Sequence, residues 1–142
     1  MKEHVARTER TIDAPIEAVW AALTSPERHS AMMFGAQVET DWRAGSAITW
    51  SGTWEGRAFT DHGEITAIEE PTRFAVTHFS PLSGEEDTPE HHHGVEWRLE
   101  PVGSRTRVTL LQDNNPTAEA AAHAEANWAA SLDLLAGLVA DD

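Results

Sequence analysis

A chain of 142 residues is long enough to bury the core of one domain and too short for two, so we expect one domain over residues 1–142. Acidic residues outnumber basic ones by 24 to 10, and the net charge of -14 excludes nucleic-acid binding, which needs clustered cations. Cysteine is absent, which excludes disulfides, thiolate metal ligands and a thiol nucleophile.

The first part of the chain predicts one strand followed by two short helices. Val5 to Ile12 mixes polar and β-branched residues and ends at Asp13, which can cap a helix that has Pro15 near its first position. Ser25 followed by Pro26 indicates the start of a second helix. Spacings of three and four mark the apolar face of the first helix, formed by Ile16, Val19, Trp20 and Leu23.

Residues 37–112 alternate apolar and polar positions, the period of β-strands that have one buried face. Turn residues interrupt the alternation at 43–46, 70–73 and 101–104, which predicts a meander of antiparallel strands. The segment 80–90 contains two prolines, a glycine and four acidic residues, and we expect an exposed loop there.

The last part of the chain is rich in alanine from about Asn115 and predicts a helix of about six turns. Its apolar face consists of Ala121, Ala124, Trp128, Leu132, Leu135 and Val139. That face has to be covered, and the concave face of the sheet is the large apolar surface that remains. Because a long helix cannot touch a strongly curved sheet along its whole length, we expect a cavity between them.

Short motifs spread over nearly the whole chain accompany this order of elements. They are Arg10, Ile12-Asp13-Ala14-Pro15, Val19-Trp20, Leu23-Thr24-Ser25-Pro26-Glu27, Gly45, Gly63-Glu64, Ile68 to Arg73, Thr77-His78, Trp97, Leu99-Glu100-Pro101, Thr106 to Leu110, Gln112, Trp128 and Leu132. In these motifs the chain resembles the START-like (SRPBCC) superfamily, in the branch related to the activator of Hsp90 ATPase (AHSA1-like).

The resemblance implies an α+β helix-grip fold, in which a curved antiparallel sheet, two short N-terminal helices and a long C-terminal helix enclose a cavity. It implies no fixed set of catalytic residues. Members of this branch often carry a tryptophan soon after the second helix, where this chain has Met32, Met33 and Phe34. We therefore expect the mouth of the pocket to differ here.

Inward strand positions and the inner face of the helix predict an aromatic-rich lining, suited to a flat or apolar small molecule. The predicted ligand-binding residues are Trp50, Phe59, Phe74, Val76, His78, Val95, Trp97, Leu110, Trp128 and Leu132. For each of them taken singly, the alternative is plain packing in the core.

Eight histidines suggest two kinds of chemistry. If neighbouring strands pair as a hairpin, His78 and His93 lie close together, and His62 with Asp61 or Glu64 would complete a set of donors that zinc accepts. The alternative is solvated histidines, and we predict neither a metal site nor a cofactor. Since histidine titrates near neutral pH, His78 is also the candidate acid or base, with Glu64 or Asp61 as its orienting carboxylate.

The leading expectation is a cytoplasmic protein that holds a hydrophobic, lipid-like or aromatic small molecule between the C-terminal helix and the sheet. The first alternative is a cyclase- or hydrolase-type enzyme that uses His78 and nearby carboxylates, although no catalytic motif is identifiable. The second alternative is an interaction module with a chaperone-type protein partner, and a homodimer is also open. Without an apolar leader or a run of about 20 apolar residues, we predict no membrane insertion.

Overall fold

The computed structural model describes residues 4–140, which form a seven-stranded antiparallel sheet and three α-helices. The strands are β1 (Ala6–Ile12), β2 (Gln37–Thr40), β3 (Ala47–Trp54), β4 (Arg57–Glu69), β5 (Arg73–His78), β6 (His93–Val102) and β7 (Arg105–Gln112). The helices are α1 (Ile16–Leu23), α2 (Pro26–Met32) and α3 (Ala118–Ala140). The predicted α+β helix-grip architecture is confirmed.

The sheet is open, with the strand order β1-β7-β6-β5-β4-β3-β2 and antiparallel pairing throughout. Residues paired across neighbouring strands share a face of the sheet. Trp97 on β6 therefore lies beside Phe74 on β5 and Leu110 on β7, and His78 lies beside His93 where β5 ends and β6 begins. This register carries apolar residues to the middle of the inner face and histidines to one end of it.

Helix α3 packs closely over only part of its length. Its second half buries Ser131, Leu132, Leu135 and Ala136, whereas Ala121 is the one buried residue that the structure describes before position 131 of the helix. The hydroxyl of Ser131 donates to the Met32 carbonyl at 2.9 Å and fastens α3 to the end of α2. The first half of α3 is therefore free to border a pocket.

Local signals fix most of the element boundaries. Ser25 accepts a hydrogen bond from the Arg28 amide at 3.5 Å, with Pro26 in the first turn of α2, as predicted. The expected cap of α1 is wrong, because Pro15 occupies the N-cap position and no side chain caps the helix. The sequence analysis also marked no turn between β3 and β4, where Glu55 and Gly56 both take positive φ.

Gly63 on β4 permits a close approach of two strands. A Cβ atom at this position would lie 1.8 Å from the carbonyl oxygen of Thr77 on β5, so no larger residue fits without a shift of backbone. The strands that carry Asp61 and His78 are drawn together at this point. Among the helices in residues 4–140, none combines the length and the apolarity needed to cross a membrane.

Candidate functional site

Seven of the ten predicted lining residues lie in the closed core and are at most 2% exposed. They are Trp50, Phe74, Val76, Val95, Trp97, Leu110 and Leu132. The other three, Phe59, His78 and Trp128, are partly exposed. The regions that a ligand could reach from solvent therefore lie around these three residues.

The closed part of the inner face centres on the imidazole of His29, a residue of α2. Its ring centroid lies 5.7 to 6.3 Å from those of four aromatic side chains. These five residues, which we name the sealed cluster, are His29, Trp42, Trp50, Phe74 and Trp97. All of them except Trp42 are fully buried. The indole nitrogen of Trp97 is buried there without a hydrogen-bond partner.

Both ring nitrogens of His29 are occupied inside the protein. The Nδ1–H donates to the carbonyl oxygen of Leu23 at 2.9 Å, and the Nε1–H of Trp50 donates to Nε2 at 3.0 Å. Burial lowers the pKa of His29 from 6.5 to about 4, against a smaller rise from the Leu23 hydrogen bond. His29 is therefore neutral at physiological pH and ties α1, α2 and β3 together.

A pocket of about 380 Å³ lies beside the first half of α3, next to the loop after α2 and the ends of β6 and β7. We name it the open pocket. It is lined by Met33, Phe34, His93, Gln112, Asn115, Pro116, Ala120, His123, Ala124, Asn127 and Trp128. Apolar side chains and several hydrogen-bonding groups share this lining, the composition of a small-molecule site.

One wall of the open pocket is held by a chain of hydrogen bonds. The Nε1–H of Trp128 donates to Oε1 of Gln112 at 2.7 Å, and the Gln112 amide donates to Oδ1 of Asn115 at 2.8 Å. The Asn115 amide donates in turn to the carbonyl oxygen of Gln112 at 3.0 Å. The Trp128 ring meets the edge of the Trp97 ring, with centroids 5.7 Å apart, so this wall adjoins the sealed cluster.

His78 and Asp61 form a polar pair on the inner face. The two residues lie 3.0 Å apart from Nε2 to Oδ2, and the second carboxylate oxygen, Oδ1, is buried without a partner. The ring of His78 is 6.4 Å from that of His93, which lines the open pocket. The other proposed partner, Glu64, is exposed, and strand alternation puts it on the opposite face from Asp61.

His62 also lies on that opposite face, away from His78. Its Nε2 and that of His92 each lie 2.7 Å from a different oxygen of Asp87, a residue of the loop between β5 and β6. These contacts lower the pKa of Asp87, with the His92 hydrogen bond as the largest cause. Within residues 4–140, no three histidine, aspartate or glutamate side chains are arranged to hold a metal ion.

A second concavity, of about 390 Å³, adjoins the open pocket and shares Met33 and Phe34 with it. Phe59 and Trp54 line its far side, where the ring of Phe59 covers Gly52. Phe34 and Trp54 are 64% and 63% exposed. The segment that follows α2 thus separates two apolar concavities, and Phe59 belongs to the second one.

Comparison with known proteins identifies the family of this chain. The family profile described as "Activator of Hsp90 ATPase homolog 1-like protein" matches residues 13–140. This chain belongs to that family. No curated protein matches the chain.

Solved structures of similar proteins support this assignment of the AHSA1-like family. ChR145 from Cytophaga hutchinsonii is 39% identical, with a TM-score of 0.85 and coverage of 99% of this chain and 97% of that one. CalU16 from Micromonospora echinospora is 22% identical, with a TM-score of 0.72 and coverage of 95% and 83%. The Aha1 dimer from Colwellia psychrerythraea is 20% identical, with a TM-score of 0.73 and coverage of 95% of both chains. The last two likenesses show the fold alone.

In this AHSA1-like chain, sequence reasoning missed several residues of the open pocket. His123, Asn127 and Ala120 flank the predicted apolar stripe of α3 and were not singled out. Their signal was available, because positions 120, 124 and 127 lie on the same side of a helix as Trp128. The departure noted after the second helix falls at the open pocket, where Met33 and Phe34 belong to the lining.

Proposed function

We propose that this chain binds a small aromatic, mainly apolar molecule in the open pocket, between the first half of α3 and the sheet. The observation that carries the proposal is the lining of that pocket, in which Trp128, Met33 and Phe34 stand beside accessible polar groups. A volume of about 380 Å³ suits a molecule of two or three fused rings.

The sealed cluster supports the same location by elimination. Trp50, Phe74 and Trp97 each pack against His29, and Phe74 also packs against Trp97, so these fully buried rings have little surface left for a guest. Trp128 is the member of the predicted lining that belongs to the open pocket. A ligand there would contact Trp128 and reach His93 and the free polar groups of α3.

The test fills the pocket from α3. Ala124 lines it, whereas Ala126 is exposed on another face of the same helix and serves as the matched control. We expect Ala124→Phe to weaken the binding of 2-methoxynaphthalene at least tenfold in isothermal titration calorimetry, and Ala126→Phe to leave it unchanged. Equal affinity in both variants would rule out the open pocket as the site.

A second candidate function is enzymatic, of the cyclase or hydrolase type, and it rests on the pair of His78 and Asp61. A carboxylate with one bonded and one unpartnered buried oxygen, next to a histidine, is an arrangement suited to proton transfer. If the pair is catalytic, His78→Asn abolishes turnover of a bound substrate while its affinity stays within about threefold. Unchanged turnover in this variant would remove the enzymatic proposal.

The proposals on partners and location rest on resemblance. Because the Colwellia relative is described as a dimer, we propose a homodimer for this chain, tested by sedimentation equilibrium, where a single-chain mass at all concentrations would refute it. The family's link to the Hsp90 ATPase supports a chaperone-type partner and a cytoplasmic location, which affinity capture with a purified chaperone would test. The net charge of -14 disfavours nucleic acid as a partner.

A further inference from the structure

Most hydrogen-bonding groups around the open pocket are already used within the protein. Gln112 and Asn115 satisfy each other and Trp128, as described above. The side chains of His123 and Asn127 have no hydrogen-bond partner among residues 4–140. His93 uses one of its two ring nitrogens. The groups left to meet a ligand are therefore His123, Asn127 and the second nitrogen of His93.

The tautomer of His93 is fixed by its neighbour. Its Nδ1 lies 2.9 Å from the backbone carbonyl oxygen of Asp113. A carbonyl oxygen only accepts, so Nδ1 carries the proton and Nε2 of the neutral ring carries a lone pair. The amide of Asp113 donates to the Gly94 carbonyl at 3.0 Å, which anchors the carbonyl-bearing residue to the start of β6. His93 therefore offers the pocket a hydrogen-bond acceptor.

That acceptor is open to solvent. Nε2 of His93 makes no hydrogen bond within residues 4–140 and is not among the buried atoms that lack a partner. A ligand that bonds to it has to bring a donor, such as an O–H group. A carboxylate at neutral pH or an ether has no proton to donate there.

The lining of the open pocket lacks acidic side chains, which favours a ligand hydroxyl group whose oxygen carries partial negative charge. Acidic residues make up 24 of the 142 in the chain, yet none of the eleven residues that line the open pocket is acidic. His123 and Asn127 lie one turn apart on α3, so both side chains project from the same side of the helix. The N–H groups of His123 and Asn127 are able to donate to the oxygen of a ligand hydroxyl group that itself donates to His93.

We propose that the ligand of the open pocket is a phenol-class compound, an aromatic ring system with a weakly acidic hydroxyl that donates to Nε2 of His93. The rings pack against Trp128, Met33 and Phe34, and the hydroxyl oxygen accepts from His123 or Asn127. This inference rests on the proposed function, because it names the chemical class for the same pocket. It adds the requirement that the ligand carries a hydroxyl donor, which apolar packing alone does not impose.

The test compares four probes that share one ring system, measured by isothermal titration calorimetry at pH 7.5. 2-Naphthol has the hydroxyl donor, naphthalene and 2-methoxynaphthalene lack it and bracket its size, and 2-naphthoate has an anion in its place. We expect 2-naphthol to bind at least tenfold more tightly than any of the other three. Because all four probes are measured on the unaltered chain, the result does not depend on whether a variant folds.

A pair of variants then locates the effect. In His93→Asn the side-chain amide keeps a donor for the Asp113 carbonyl and removes the acceptor at Nε2, so the preference for 2-naphthol should fall below threefold. His91→Asn, outside the pocket, should retain the full preference. If naphthalene and its ether bind as tightly as naphthol, the pocket function stands and this inference is overturned. Tightest binding of 2-naphthoate also overturns it, and failure of all four probes refutes the proposed function itself.

Discussion

The sealed cluster and the open pocket both contain histidine, tryptophan and phenylalanine, and they differ in what their histidines do. In the sealed cluster, both nitrogens of His29 are bonded and Trp50 donates to one of them. In the open pocket, Nε2 of His93 makes no hydrogen bond among residues 4–140, and the N–H of Trp128 donates to Gln112 in the wall. The difference teaches that a histidine marks a site only when some of its hydrogen-bonding capacity is left over.

The strongest way to break this comparison is to remove one tryptophan from each region. Trp97→Ala deletes a fully buried indole and should lower the free energy of unfolding by about 3–5 kcal/mol, the usual cost of a large core cavity. Trp128→Ala removes a partly exposed ring and one hydrogen bond, so it should cost less than about 2 kcal/mol. Urea unfolding followed by circular dichroism measures both.

Ligand affinity should show the reverse order, with a larger loss in Trp128→Ala than in Trp97→Ala. Trp128→Ala is expected to weaken 2-methoxynaphthalene binding at least fivefold, because the ring it removes lines the pocket. Should Trp128→Ala destabilise the chain as much as Trp97→Ala, the open pocket would be an extension of the core and the division into two regions would be wrong.

The next largest effect concerns the charge state of His29. Between pH 6.5 and about 4 the unfolded chain binds a proton at His29 and the folded chain does not, so acid favours unfolding. His29 therefore supports the fold fully above pH 6.5, and this support is lost as the pH falls toward 4. Since one pKa unit corresponds to about 1.4 kcal/mol, the total loss is about 3 kcal/mol.

The control for this effect is His29→Gln, which cannot titrate at that position. Other groups contribute alike to both proteins, so the stability difference between them isolates His29. We expect the advantage of the unaltered chain at pH 7 to shrink by about 3 kcal/mol at pH 4, in urea unfolding at several pH values. A difference that stays constant with pH would mean that folding leaves the pKa of His29 unchanged.

The sequence predicted the sheet, the helices and the family, because apolar periodicity, Ser25 with Pro26 and the scattered motifs are local signals. It could not separate pocket from core, since periodicity says which residues face inward and not which inward residues pack against each other. Trp97 and Trp128 both face inward, and only their neighbours distinguish them. For the same reason, the sequence could not decide between Asp61 and Glu64 as the partner of His78. These two acidic residues differ in the face of β4 that they occupy.

The smallest effect is expected at Asp87, where the comparison becomes sharper. His62 and His92 are partly exposed, and each uses one ring nitrogen within the protein, as His93 does, but on Asp87. Because neither histidine lines the open pocket, Asp87→Asn should leave the affinity for 2-naphthol unchanged and loosen only the loop of residues 80–92. Amide hydrogen exchange should speed up in that loop, with the global unfolding free energy unchanged within the error of the measurement, as for an ordinary surface substitution. The matched control is Glu86→Gln, since no side-chain bond joins Glu86 to these histidines, and its exchange pattern should not change. A loss of naphthol affinity in Asp87→Asn would instead tie the loop to the pocket, and the histidines of the loop would then belong to the ligand's surroundings.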